Sequence, residues 1–261
     1  IKEFLAYCEK KGLPVDFVST HPYPNSYPLY SYGRPCYKDE NGTYDAFVWL
    51  NEAIHATPYR DAEIHITEWN SSPNCRDLVH DTAFMAPFII QNHLKTIGMV
   101  DTIGFWTFTD VFEEESLGQS VFHGGFGLCN VQGLKKPSYH GFWFLSRLGN
   151  EILEQGDHYI VTRKEDRVQV LLWNYCHYCD TYANGDPTCI SQYDRYPAFE
   201  EKEEETFLIR LEGSAQKYRV IQYKFDREHG SVYDSWLANG APEPPDQEEI
   251  RILSEKSELE T

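Results

Sequence analysis

At 261 residues, 41% of them hydrophobic and 25% charged, the chain is long enough for two domains or one large barrel and can bury a core. Its formal net charge of −18 argues against nucleic acid, whose phosphates demand a basic face, and against anionic membrane surfaces. The sequence shows neither an apolar run of roughly 18 residues nor a basic-then-apolar leader, and its seven cysteines make no disulfide framework, so a reducing, cytoplasmic compartment is the simplest expectation.

Residues Lys2 to Lys11 have helical periodicity and stop at Gly12. Asp16 to Ser19 reads as a short apolar strand that runs into Thr20-His21-Pro22-Tyr23-Pro24, where proline ends it. A Tyr-, Pro- and Gly-rich loop follows, then a helix over Asp45 to Ala56, a strand over Ala62 to Thr67, and a helix over His80 to Thr96 closed by Gly98. Asp101 to Thr109 is a further strand, and Pro137 to Glu154 has a helical pattern with Phe142, Leu145 and Leu148 on one side. Strands alternating with helices of this length make parallel βα units, hence an open doubly wound sheet or a (β/α)8 barrel. No glycine-rich phosphate loop follows any strand, which weakens the nucleotide-binding alternative.

Beyond residue 155 the texture changes to short alternating runs at His158 to Thr162, Arg167 to Tyr175, Thr206 to Leu211 and Tyr218 to Phe225. These predict an antiparallel sheet and an all-β sandwich, with an acidic helix over Pro245 to Glu258. The organisation expected is an α/β part over residues 1–154 and a β-sandwich over residues 155–261. Acid clusters at Glu200 to Glu205 and in the tail read as solvated faces. Cys176-His177-Tyr178-Cys179, with Cys189 beyond, offers soft ligands at close spacing, but one CxxC without a second pair reads more simply as free thiols than as a zinc site.

The chemistry concentrates at the strand ends. Alternation places Ile64, Ile66 and Glu68 on one face, so a strand that buries two isoleucines then delivers a carboxylate, beside Trp69 and Asn70. His21 and Tyr23 follow the strand before it, and Trp106, Asp110, Glu113 and Glu114 follow the strand after it. Each has an ordinary explanation alone: a histidine bonded to backbone, a tryptophan filling the core, acids facing water. Together, at the ends of parallel strands that share one mouth, they suit a sugar, with an indole against its apolar face and carboxylates on its hydroxyls. The high aromatic content, 15%, fits either that use or plain packing.

The segments Val18-Ser19-Thr20-His21-Pro22-Tyr23-Pro24, Ile66-Thr67-Glu68-Trp69-Asn70-Ser71-Ser72, His80-Asp81-Thr82-Ala83, Phe105-Trp106-Thr107-Phe108-Thr109-Asp110-Val111-Phe112-Glu113-Glu114 and Phe122-His123-Gly124-Gly125-Phe126-Gly127-Leu128 closely resemble glycoside hydrolase family 39, and within it the bacterial β-xylosidases. The resemblance covers most of residues 1–154 and continues more weakly to Tyr233-Asp234-Ser235-Trp236. It implies a (β/α)8 barrel with an attached β-sandwich, retaining release of terminal β-xylose from xylo-oligosaccharides, and no metal or organic cofactor. Carried over position by position, it implies Glu68 as nucleophile, His21 and Tyr23 lining the donor-sugar pocket, Trp106 as the pocket tryptophan, and Glu113 and Glu114 holding sugar hydroxyls. Asn70 belongs to the same Thr-Glu-aromatic-Asn motif and is expected at the sugar. Pro73 stands where xylosidases of the family commonly place a tyrosine.

The family's acid/base is a glutamate in an Asn-Glu-Pro motif, and no such string occurs in this sequence. Asn51-Glu52-Ala53 is the nearest, but it lies inside a helical pattern and is rejected. Counting the Glu68 strand as the seventh of the barrel, strands one to five and the acid/base are expected to lie outside this chain. The chain alone is therefore expected to be inactive, its open strand edges covered by the missing part or by another copy. An iduronidase-like enzyme of the same family, which should need basic residues for a sugar acid, and a non-catalytic carbohydrate-binding or structural module are the alternatives.

Overall fold

A computed structural model describes residues 1–26, 37–111, 114, 118–201, 203–210 and 217–260. Helix α1 (Lys2–Lys11) buries Leu5 and Cys8 and ends where Gly12, at φ 64, takes the left-handed cap that a side chain would resist. Strand β1 (Phe17–Thr20) follows, then a small antiparallel ribbon of β2 (Asn25–Ser26) and β3 (Tyr37–Lys38). Helix α2 (Gly42–His55) buries Thr43, Phe47, Leu50 and Ile54, the three-and-four spacing of an amphipathic stripe. Strand β4 (Glu63–Trp69) and β5 (Thr102–Phe105) flank α3 (Met85–Lys95), and α4 (Pro137–Ser146) comes after a long loop.

β1, β4 and β5 form a three-stranded parallel sheet with β4 in the middle. Asp101 locks its lower end, donating its own N–H to Ile64 O at 2.9 Å and accepting Ile64 N–H on Oδ2 at 2.7 Å. The pairing of β4 with β5 slips between Ile66 and Trp69, an extra residue on β4. A bulge of this kind breaks strict alternation. Ile64 and Ile66 enter the core as expected, but Trp69 joins them there, stacked on Phe88 of α3 at 5.1 Å, and Glu68 is turned to the other side.

Two helices differ from the expectation. The helix expected from His80 is a single tight turn at Leu78–Asp81 followed by extended Thr82, and α3 starts only at Met85. The helix expected through Glu154 ends at Ser146, and Glu151–Gly156 becomes β6, which crosses position 154 and pairs antiparallel with β7 (Tyr159–Lys164). With β8 (Arg167–Leu172) these form one three-stranded antiparallel sheet.

The second sheet of the expected sandwich is not seen among the described residues. Residues 206–210 and 218–223 carry no strand pairing, and Leu208 and Val220 are 89% and 81% exposed. Alternation supplies a face, but a strand also needs a partner for its backbone, and these runs have none in register. In β8 the alternating face Val168, Val170 and Leu172 points outward, while Leu171 packs inward. The short α5 (Asp180–Ala183), α6 (Val232–Ala238) and α7 (Gln247–Lys256) complete the elements. The last lies within the expected acidic helix and opens on a capping box in which Asp246 and Glu249 bond each other's backbone.

One apolar cluster runs from Leu5 through the sheet and α3 to Trp173, Tyr182 and Ala198, so the two sequence textures share a core. A second, smaller cluster joins Val121, Phe122 and Leu134 of the long loop to Val232, Tyr233, Trp236 and Leu253 of the last helices.

Candidate active site

Glu68 emerges at the carboxyl end of the central strand, where parallel sheets present their chemistry. The Tyr23 hydroxyl donates to its Oε1 at 2.5 Å, and His21 Nδ1 lies 3.3 Å from its Oε2. His21 Nε2 is 3.0 Å from Thr67 Oγ1, so the ring spans two consecutive residues of β4. Each ring nitrogen thus has an oxygen of β4 as its polar neighbour. The His21 side chain is 52% exposed and that of Glu68 20%, so the carboxylate is lodged yet reachable.

Burial first, then the hydrogen bond to Glu68 and the charges of Glu68 and Glu114, push the Tyr23 phenol far above its ordinary pKa. Tyr23 therefore remains a proton donor to Glu68 throughout the physiological range. Glu113 lies outside the described residues.

Trp106 extends the β5 line, its N–H donating to Trp69 O at 2.9 Å, and the Trp106–Thr107 peptide is cis. Asn70 is placed differently from the expectation. It is fully buried, its amide donates to Trp106 O at 2.5 Å and Phe126 O at 3.3 Å, and its Oδ1 accepts Ser71 N–H at 2.7 Å. That leaves no surface for a sugar hydroxyl, so Asn70 ties the end of β4 to the Trp106 backbone instead.

Asn51 and Glu52 sit on α2, with Asn51 donating to Phe47 O and Met99 O, toward the end of the sheet opposite Glu68. Their rejection as the acid/base motif agrees with this placement. The geometry thus offers a partly exposed carboxylate with two polar neighbours at the mouth of a parallel sheet.

The model of glycosyl hydrolases family 39 matches residues 1–260. The chain belongs to glycosyl hydrolases family 39. A β-xylosidase of Geobacillus stearothermophilus is 36% identical over 180 residues, 67% of this chain and 36% of that protein. One from Caldicellulosiruptor saccharolyticus is 28% identical over 99% of this chain and 50% of its own length. The family 39 chain thus spans about half or less of the curated relatives it matches. Its fold is similar to about half of the family 39 enzyme of Xanthomonas axonopodis pv. citri (TM-score 0.75, 21% identity, 98% of this chain and 51% of that one). The monomeric β-xylosidase of Caulobacter crescentus CB15 is also similar (TM-score 0.73, 24% identity, 98% and 52%).

Around the site, this family 39 chain carries a buried ionic cluster that sequence reading missed. Asp81, Asp110, Lys136 and Arg195 are all fully buried, two acids and two bases. Lys136 Nζ is 2.6 Å from Asp81 Oδ1 and 3.1 Å from Asp110 Oδ2, and Arg195 Nη1 is 2.7 Å from Asp81 Oδ2. Burial works to raise the Asp81 pKa, but the charges and hydrogen bonds of Lys136 and Arg195 overcome it and hold the carboxyl below its ordinary value. The motif residues Asp81 and Asp110 were signals in the sequence. Nothing marked Lys136 or Arg195, since charged residues read by default as solvated.

Among the described residues no group of three or more His, Cys, Asp or Glu side chains is placed to hold a metal ion. Cys179 Sγ instead donates to Pro197 O at 3.3 Å. No helix among them is long and apolar enough to cross a membrane.

Proposed function

We propose that this chain is part of a retaining β-xylosidase and carries its nucleophile, Glu68. The carrying observation is the Glu68 carboxylate at the end of the central parallel strand, held by Tyr23 Oη at 2.5 Å with His21 beside it. In this reading β1, β4 and β5 are the last three strands of an eight-stranded barrel, and β6 to β8 are one sheet of an accessory β-sandwich. A xylo-oligosaccharide binds with its terminal ring against Trp106 and its hydroxyls on Glu113 and Glu114. Glu68 attacks the anomeric carbon as the aglycone leaves, and water then releases xylose from the covalent ester.

Tyr23 and His21 orient the carboxylate for attack. The leaving oxygen needs a proton from a second carboxyl group, and the Asn-Glu-Pro sequence that supplies it in the family is not in this chain. The chain alone therefore turns over only substrates whose leaving group departs unprotonated, unless it joins the segment that brings the acid. Acids rather than bases at the strand ends favour neutral xylose over a uronic acid.

A 2-deoxy-2-fluoro-β-xyloside with a dinitrophenolate leaving group tests the assignment, because it needs no acid catalyst and its intermediate hydrolyses slowly. Mass spectrometry should locate one sugar ester on Glu68, lost in Glu68→Gln. A label on another residue, or none on the wild-type chain, sinks the assignment.

A further inference from the structure

Residues Phe122-His123-Gly124-Gly125-Phe126-Gly127 form a strut gripped on both sides. The buried ionic cluster holds one side. Arg195 Nη2 donates to Phe122 O at 2.6 Å, Gly124 N–H donates to Asp81 Oδ2 at 2.8 Å, Lys136 donates to Gly125 O at 2.7 Å, and Gly127 N–H donates to Asp110 Oδ1 at 2.6 Å. On the other side Phe126 O accepts Thr107 N–H at 3.2 Å and the Asn70 amide at 3.3 Å. Thr107 follows Trp106, and Asn70 lies two residues past Glu68. The strut thus connects the ionic cluster to the backbone that aims both the indole and the carboxylate. Close approach explains its glycines: a Cβ on Gly125 would lie 2.5 Å from Asp110 Cγ, and Gly124 has φ +77.

Arg195 is the member of this cluster that comes from the second part of the chain. Its guanidinium also donates to Leu78 O at 2.8 Å and Gln192 O at 3.0 Å, and it lies 4.2 Å over the Tyr233 ring. A planar fork with this many fixed acceptors is a rigid reference point, which a lysine ammonium cannot reproduce. We propose that Arg195 is a positioning residue of the sugar site, setting Trp106 through the 122–127 strut from the far side of the buried cluster. The proposal rests on the glycosidase reading above, and it makes the second part of the chain a component of the pocket.

The test compares the wild-type chain with Arg195→Lys and Arg195→Met, with Leu253→Ala as a control that loosens the apolar cluster Phe122 shares without removing any hydrogen bond to the strut. Two quantities are read: xylose affinity by ligand-observed NMR, and amide hydrogen exchange at residues 106–110 and 122–127 relative to β4 and β7. Arg195→Lys, which keeps the charge beside Asp81, should weaken xylose binding about tenfold. It should also speed exchange in those two segments while β4 and β7 stay protected. Arg195→Met should do so more strongly; where it does not fold, Arg195→Lys decides. Unchanged exchange at 106–110 in Arg195→Lys, or an equal loss of xylose binding in Leu253→Ala, overturns the proposal. A wild-type chain that takes no xylose overturns the glycosidase reading and this proposal with it, and is told apart because it appears before any substitution is made.

Discussion

Lys136→Met is the sharpest probe of the buried cluster. The Lys136 ammonium contacts Asp81 at 2.6 Å, Asp110 at 3.1 Å and Gly125 O at 2.7 Å, all out of water. Methionine fills the volume but leaves two buried carboxylates with Arg195, paired to Asp81, as the cluster's one cation, a surplus buried negative charge. Stranding a buried charge costs about 3–5 kcal/mol, so a loss of that size is expected at pH 7. For a chain of this size that lowers Tm by roughly 6–20 °C.

The loss has a sign in pH. In the wild-type chain Asp81 has a lowered pKa, so its stabilisation is present above the ordinary carboxyl range and fades only as pH falls through its folded value. In Lys136→Met the native state gains from taking up a proton that the unfolded chain takes up less readily. The deficit therefore shrinks as pH falls from 7 to 5. Urea titrations followed by tryptophan fluorescence at both pH values measure it, with Lys136→Met/Asp110→Asn as the companion that removes the surplus charge. A loss below about 1 kcal/mol at pH 7, or a double variant no more stable than the single one, refutes the reasoning.

Burial first, and then the Lys135 charge, lower the His140 pKa from 6.5 to about 4. The stability this neutral histidine allows is whole above pH 6.5 and is lost progressively as pH falls toward 4, by about 3 kcal/mol, and His140→Phe should flatten that slope in urea titrations. Gly125→Ala forces its methyl against Asp110 and should cost about 1–3 kcal/mol; a calorimetric change under about 0.5 kcal/mol contradicts the close approach. Trp69→Ala removes the indole stacked on Phe88 and strands Thr43 Oγ1, to which Nε1 donates at 3.1 Å, so a loss of about 3–5 kcal/mol is expected in thermal unfolding.

The sequence made α1, β1, α2 and β4 readable because each carries its own punctuation: Gly12 after a helical stripe, prolines after Thr20, alternating isoleucines before Glu68. The strand after Gly149 was hidden because Leu145 and Leu148 continue the helical spacing of α4 past its end. Residues 206–210 and 218–223 have the alternation of strands, but pairing is a property of two segments and one sequence window does not contain it. At the site, Glu68, His21 and Tyr23 were grouped by their places at strand ends and by the family resemblance, and the structure brings their side chains together. Asn70 was misjudged because an amide beside a carboxylate looks like a ligand contact, whereas here it answers two backbone carbonyls. Lys136 and Arg195 were invisible because only the fold reveals which charges are denied water.

Glu68 rides on the middle strand of its sheet, with β1 bonded on one side and β5 on the other. Fraying starts at margins, so a group carried on a central strand is insulated from whatever joins or leaves the outer edges of β1 and β5. Those edges are the natural cut lines for dividing a protein of this kind into two polypeptides, as in a split reporter. The piece that keeps all three strands also keeps the bearing of the Glu68 carboxylate.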